Sequence, residues 1–237
     1  MKNDTVFKWR DLVWWQSGEK QVVDERLKDL TKAKVTYHPA KADIYAALDA
    51  TPYDKVRVCI IGQDPYPGSP PPWLNISSTR YATGLAFSIP RDIPASSWPP
   101  TLRNIFDEYV SDLQYPMPKH GDLAWWARNG VLLWNTFPTC EDKKAGSHHW
   151  DEYEYLTKEI VLELDKKPIV FILLGSKARS LTKYVTNSKI IETSHPSPLG
   201  VDKGFRGSRI FSTANGYLCD LGLETIPWKL WSNDVKE

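Results

Sequence analysis

The chain has 237 residues, 41% of them hydrophobic and 25% charged, which suits one domain with a sizeable core. No stretch reaches the roughly 18 apolar residues of a membrane span, and Met1-Lys2-Asn3-Asp4 opens without the apolar core of a secretory signal. No membrane association is expected, the cytoplasm or a nucleus is the expected location, and a formal charge of +1 leaves the class of partner open.

Hydrophobic periodicity places helices at residues 21–30 and 42–49. The apolar run 56–61 then reads as a strand buried on both faces. Residues 68–100 form the irregular part, rich in proline and serine, and loops of this length in a compact domain usually serve a function. Helices are expected at 102–113 and 123–128, a strand at 131–134, a helix at 150–164, a strand at 169–174, a helix at 177–184 and a strand at 189–192. A last helix follows Arg209 to about Leu221. This alternation predicts an α/β fold: a single domain, 1–237 with its core at about 20–225, built on a central, mainly parallel four-stranded sheet flanked by helices on both faces.

Cys59, Cys140 and Cys219 are few, odd in number and without a CxxC pair, so neither a metal site nor a disulfide framework is expected. Cys59 and Cys219 lie in apolar surroundings and read as reduced core thiols. Acids dominate residues 141–165. Bases dominate 177–209, with Lys177, Arg179, Lys183, Lys189, Lys203, Arg206 and Arg209 against Glu192 and Asp202. Such a basic zone suits a phosphate-facing surface, although two oppositely charged solvated faces would look the same. Trp14-Trp15 and Trp125-Trp126 read as packing rather than base-stacking platforms. Gly175-Ser176-Lys177 lacks the upstream glycine and residue order of a phosphate loop.

Each expected strand ends in a polar signature. The first runs into Gly62-Gln63-Asp64-Pro65-Tyr66-Pro67, the second into Asn135-Thr136, the third into Gly175-Ser176-Lys177 and the fourth into Thr193-Ser194-His195-Pro196. Parallel strands bring their C-terminal ends to one edge, where open α/β sheets bind ligands, so Asp64, Asn135 and His195 are expected to converge. The prolines after Asp64 stiffen its loop. Taken singly these residues have ordinary readings: Asp64 as a turn former, Asn135 as a helix cap, His195 as a loop histidine bonded to backbone, Phe87 and Leu199 as packing.

Together, and in order, they carry a resemblance. The segments Gly62-Gln63-Asp64-Pro65-Tyr66, Gly84-Leu85-Ala86-Phe87-Ser88, Pro99-Pro100-Thr101-Leu102-Arg103-Asn104, Leu133-Trp134-Asn135, Ser147-His148, His195-Pro196-Ser197-Pro198-Leu199 and Gly204-Phe205-Arg206-Gly207 resemble those of family 1 uracil-DNA glycosylases over residues 56 to 220. The resemblance implies a DNA repair enzyme that flips uracil from single- or double-stranded DNA and hydrolyses its N-glycosidic bond. It implies Asp64 and His195 as catalytic residues, with Gln63, Tyr66, Phe87 and Asn135 holding the base. It implies Thr101, His148, Ser197, Leu199 and Arg206 at the DNA, His148 either on a phosphate or supporting the cleft. No cofactor or metal is implied, and the protein is expected to be a monomer, with a proteinaceous inhibitor or replication factor as further partners. A glycosylase for 5-substituted uracil and a non-catalytic DNA-binding accessory protein are the alternative readings. Tyr66 opposes the first, and retention of Asp64, Asn135 and His195 opposes the second.

The chain departs from the family pattern at several positions. Pro67 stands where histidine is usual, Gly200 and Thr101 where serine is usual, Trp134 where leucine is usual and Tyr153 where tryptophan is common. The link at 68–83 is long, with Trp73 and Arg80 as its expected contact residues. The tails, 1–20 and 227–237, are read either as packing, through Trp228 and Trp231, or as partner-binding.

Overall fold

Three central runs of five residues explain the centre of the fold: Val58–Gly62, Val131–Asn135 and Val170–Leu174 are buried throughout. A computed structural model describes residues 7–231. Readings that fell on 1–6 and 232–237 lie outside the described residues. In chain order the elements are α1 (Gly18–Lys32), β1 (Tyr37–His38), α2 (Ala46–Ala50), β2 (Val58–Gly62), α3 (Pro100–Leu113), α4 (Ala124–Arg128), β3 (Val131–Asn135), β4 (Cys140–Glu141), α5 (Asp151–Leu164), β5 (Val170–Leu174), α6 (Ser176–Arg179), β6 (Lys189–Thr193) and α7 (Ile210–Asp220), with short 3-10 turns in some of the connections.

The main sheet has the order β3-β2-β5-β6, parallel throughout. Side chains alternate between its faces. Val58, Ile60, Val131, Leu133, Val170 and Ile172 join a core with α3, α4 and α7. Cys59, Ile61, Leu132, Trp134, Phe171 and Leu173 join a second core with α1, α2 and α5. Two covered faces are what a parallel sheet of continuous apolar strands requires. The chain passes from β2 outward to β3, then returns across β2 to β5. The switch in direction therefore lies at the C-terminal end of β2, where the Asp64 loop begins.

Several details differ from the sequence reading. Residues 42–49 split into a 3-10 turn at Lys41–Asp43 and α2. Residues 177–184 divide into α6 and a 3-10 segment, Ser180–Tyr184. There Ser180 Oγ donates to Lys177 O and Thr182 Oγ1 to Arg179 O, which tightens the chain. A two-residue ribbon, β1 with β4, was not expected. Cys219 is exposed on the outer side of α7, so its reading as a core thiol is wrong, and the second buried thiol is Cys140. Among the tryptophans read as packing, Trp14 and Trp126 are buried. Trp228 of the C-terminal segment is buried as well, donating through Nε1 to Phe211 O.

The helix α3 braces the C-terminal half. Asn104 Nδ2 donates to Pro196 O at 2.8 Å. Glu108, buried, accepts from Gly207 N at 2.6 Å and Arg209 N at 2.7 Å. Asp112 accepts from Phe211 N at 3.0 Å and Ser212 N at 2.8 Å, capping α7.

Candidate active site

Gly62 and Asn135 are register partners at the ends of β2 and β3. The pairing continues beyond the strands: Thr136 N and Oγ1 both donate to Gly62 O at 3.0 Å, and Phe137 N donates to Gln63 O at 2.9 Å. Lys143 N donates to Pro67 O at 2.5 Å. The Asp64 loop is thus stitched along its length to the segment after β3. Gln63 Nε2 donates to Asp64 Oδ2 at 2.7 Å, and the Asp64 side chain is only 6% exposed.

Ala86 N donates to Leu133 O at 3.0 Å, which lays the Gly84–Phe87 turn beside β3. Phe87 takes a left-handed backbone, φ +65°, and Tyr66 OH donates to its carbonyl at 3.1 Å. Burial pushes the Tyr66 phenol well above its ordinary pKa, so it stays a donor. Gly62 makes the slot possible. A Cβ there would stand 2.8 Å from Asn135 Oδ1 and 2.9 Å from Phe87 Cζ. Asn135 is buried, and among the described residues nothing hydrogen-bonds its side-chain amide. No helix begins beside it, so it is not a helix cap. The amide is thus left with its hydrogen-bonding capacity free at the mouth of the slot, available to a ligand.

His195 enters from the end of β6. Gly175, at φ +89°, leaves room for it, since a Cβ there would lie 3.1 Å from His195 Cβ. Ser197 N donates to His195 Nδ1 at 3.1 Å. That bond makes Nδ1 an acceptor, so the proton of the neutral ring sits on Nε2. Burial lowers the His195 pKa, while the nearby charge of Asp64 works in the other direction. The imidazole is therefore a neutral donor at neutral pH, its centroid 6.1 Å from that of Phe87.

The same loop closes tightly: a Cβ at Gly200 would lie 2.4 Å from His195 O. The glycine at this departure from the family pattern is thus required by a close backbone approach. Leu199 is 86% exposed at the loop tip. Ser197 is half-buried, and Thr101, in the first turn of α3, stands one turn before Asn104, which holds Pro196. Arg206 is exposed and paired with Asp202 at 2.8 Å. In the long link, Ser77 N and Ser78 N both donate to Asp92 at 3.0 Å, which pins the loop and leaves Trp73 81% exposed.

The structure therefore gathers Gln63, Asp64, Tyr66, Phe87, Asn135 and His195 at one sheet edge, with Thr101, Ser197 and Leu199 along its rim and Arg206 on the loop that follows. His148 stands apart. It is 1% exposed, its Nδ1 lies 2.7 Å from Thr139 Oγ1, and its ring stacks on Trp150. Burial lowers its pKa to about 4. Its side chain is turned into the protein and does not reach the cleft surface. The residue that sequence reasoning passed over is His149, whose Nε2 lies 3.2 Å from Asp64 Oδ1. Its only sequence signal was adjacency to the Ser147-His148 element.

The sequence matches the family described as "Uracil DNA glycosylase superfamily" over residues 48–219. It is 41% identical over 231 residues to the uracil-DNA glycosylase of Bacillus licheniformis, a match covering 92% of this chain and 95% of that protein. It is 39% identical over 224 residues to that of Thermobifida fusca, covering 91% and 92%. Among solved structures, mimivirus uracil-DNA glycosylase superposes with a TM-score of 0.83 at 26% identity, covering 94% of this chain and 86% of that one. A mimivirus UNG variant in complex with UGI superposes at 0.84, also at 26% identity, covering 94% and 89%. Since the family match takes in the whole sheet with every loop of the site, and the relatives align over nearly their full length, the chain belongs to the uracil-DNA glycosylase superfamily.

Proposed function

We propose that the protein excises uracil from DNA by hydrolysing its N-glycosidic bond, leaving an abasic site. The observation that carries this reading is the unpaired Asn135 amide, set against Phe87 within the slot that Gly62 opens. An amide offers one acceptor and one donor side by side, matching uracil N3–H and O4, and cytosine reverses that pattern. Mispaired buried polar groups give discrimination on the order of 10⁴-fold or more. Phe87 stacks on the base, and Tyr66 fills the place that a 5-methyl group would take.

A base inside a duplex is out of reach, so it is flipped out at a cost of a few kcal/mol. Leu199 occupies the vacated step as an apolar wedge. As the C1′–N1 bond breaks, the electron pair leaves with uracil, and His195 Nε2–H donates to O2 of the departing anion. Asp64 stabilises the cationic sugar and receives the proton of the water that adds to C1′. Side chains and water suffice for this scheme. No lysine takes part, so the sugar is released without a Schiff base and the enzyme is monofunctional. Thr101 and Ser197 grip phosphates, and Arg206 adds charge at the rim. The same face suits an inhibitor protein of the kind seen with the mimivirus relative. Acting on DNA, the protein works in the cytoplasm or a nucleus, as a monomer.

The test is a labelled oligonucleotide with one uracil, incubated with EDTA and then cleaved by alkali, beside thymine and 5-hydroxymethyluracil controls. Cleavage at uracil alone that collapses in Asp64→Asn supports the reading, and DNA binding without cleavage overturns it. The long link is proposed to tune DNA binding through Trp73 and Arg80. Unchanged Michaelis constants on single- and double-stranded DNA after deletion of residues 70–80 would refute that role.

A further inference from the structure

The Asp64 carboxylate is held from two sides, and only one of them belongs to its own loop. Gln63 Nε2 donates to Oδ2 at 2.7 Å. From a second loop, 85 residues downstream, His149 Nε2 lies 3.2 Å from Oδ1 and 3.4 Å from Oδ2.

The His149 ring is itself clamped. It stacks on Phe137 with centroids 3.9 Å apart and planes 23° from parallel. Gly146 lies against it at φ +80°, where a Cβ would stand 3.2 Å from His149 Cε1. The side chain is 29% exposed, with one face packed on Phe137 and Nε2 turned to Asp64. The preceding histidine points the other way, into the protein.

The Asp64 loop lacks such a donor of its own on this side. Pro67 has neither an N–H nor a polar side chain, and its carbonyl is taken by Lys143 N. The terminal torsion of an aspartate is soft and roughly two-fold. One donor on Oδ2 leaves it free to swing, whereas a second donor nearer Oδ1 holds a single orientation.

We propose that His149 is a positioning residue for glycosidic hydrolysis: its Nε2–H fixes the Asp64 carboxylate in the orientation that directs water onto C1′. It supplies from a second loop the imidazole that the Asp64 loop lacks at Pro67. This inference rests on the glycosylase reading above.

Three variants separate hydrogen bonding from packing. His149→Ala removes both, His149→Phe keeps a ring against Phe137 without a donor, and His149→Gln keeps a donor without the ring. Each is assayed by single-turnover excision from a uracil oligonucleotide, by binding to the same duplex carrying thymine, and by thermal melting. The Ala and Phe variants are expected to lose about 10- to 100-fold in the excision rate constant, as a misplaced catalytic group does. Their DNA dissociation constants stay within about two-fold, since an orienting contact acts on the chemical step. The Gln variant recovers most of the rate.

A Phe variant at the wild-type rate, a Gln variant as slow as the Phe variant, or a loss confined to DNA affinity would overturn the proposal. Wild-type protein inactive on uracil would remove the glycosylase reading and this one with it. An active wild type with indifferent His149 variants would remove this one alone.

Discussion

Gly62→Ala probes the base slot without touching any group that does chemistry. The added Cβ would stand 2.9 Å from Phe87 Cζ and 2.8 Å from Asn135 Oδ1. Carbon atoms rest at about 3.5 Å or more, so the phenyl ring must retreat by roughly 0.6 Å. Its backbone is fixed by the bond from Tyr66 OH and by the neighbouring Ala86–Leu133 pairing, and Asn135 is fixed by the sheet register. Neither can move as a whole, so the side chains rotate and the slot narrows. Overpacking costs about 1–3 kcal/mol of stability, partly offset by the roughly 0.5–1 kcal/mol that alanine regains over glycine in a strand. Misplacement approaching 1 Å costs on the order of 100-fold in rate. Single-turnover excision should therefore fall about 30- to 100-fold with melting lowered by only a few degrees, a change in rate far larger than the change in fold. A Gly62→Ala protein that excises uracil at the wild-type rate would show that Asn135 and Phe87 do not form the base-reading slot.

Three further outcomes are expected. Burial holds His148 neutral, its pKa lowered from the ordinary 6.5 to about 4 with Glu141 opposing. Between those values the unfolded chain binds the extra proton, so stability falls as pH drops from about 6.5 towards 4. His148→Gln should flatten that part of a melting-temperature profile, and an unchanged slope would refute the assignment. Leu199→Ala should slow excision from duplex by about tenfold or more while sparing single strands, because only a stacked duplex needs the wedge; equal losses on both would contradict it. Arg206→Gln should lower the slope of log affinity against log salt by about one, as loss of a single phosphate contact does. A slope identical to wild type would place Arg206 away from the backbone.

Much of the fold was legible because the strands are apolar and bounded by turn residues. Strands expected at 56–61, 131–134, 169–174 and 189–192 are found at Val58–Gly62, Val131–Asn135, Val170–Leu174 and Lys189–Thr193. The convergence of Asp64, Asn135 and His195 followed from parallel topology alone. Shorter features were not legible. The ribbon of β1 and β4 has two residues per strand, too few to show a period. Cys219 was misjudged because burial at a helix surface turns on which side faces the sheet. The contrast between His148, buried, and His149, beside Asp64, is similar. Consecutive residues in an irregular loop point in different directions, and packing on Trp150 and Phe137 decides which imidazole turns in.

The three tethers of α3 have a consequence for inheritance of defects. Asn104 holds the loop of His195 and Leu199, Glu108 holds the loop of Arg206, and Asp112 caps the helix that follows. Asp64, Phe87 and Asn135 are mounted separately, on β2 and β3. Damage to α3 should then produce one correlated syndrome, in which leaving-group assistance, wedging and rim charge fail together. Damage around β2 and β3 should produce another, in which recognition and hydrolysis fail while duplex engagement survives. A mutational map of this enzyme would divide along that mechanical seam rather than along distance from the substrate.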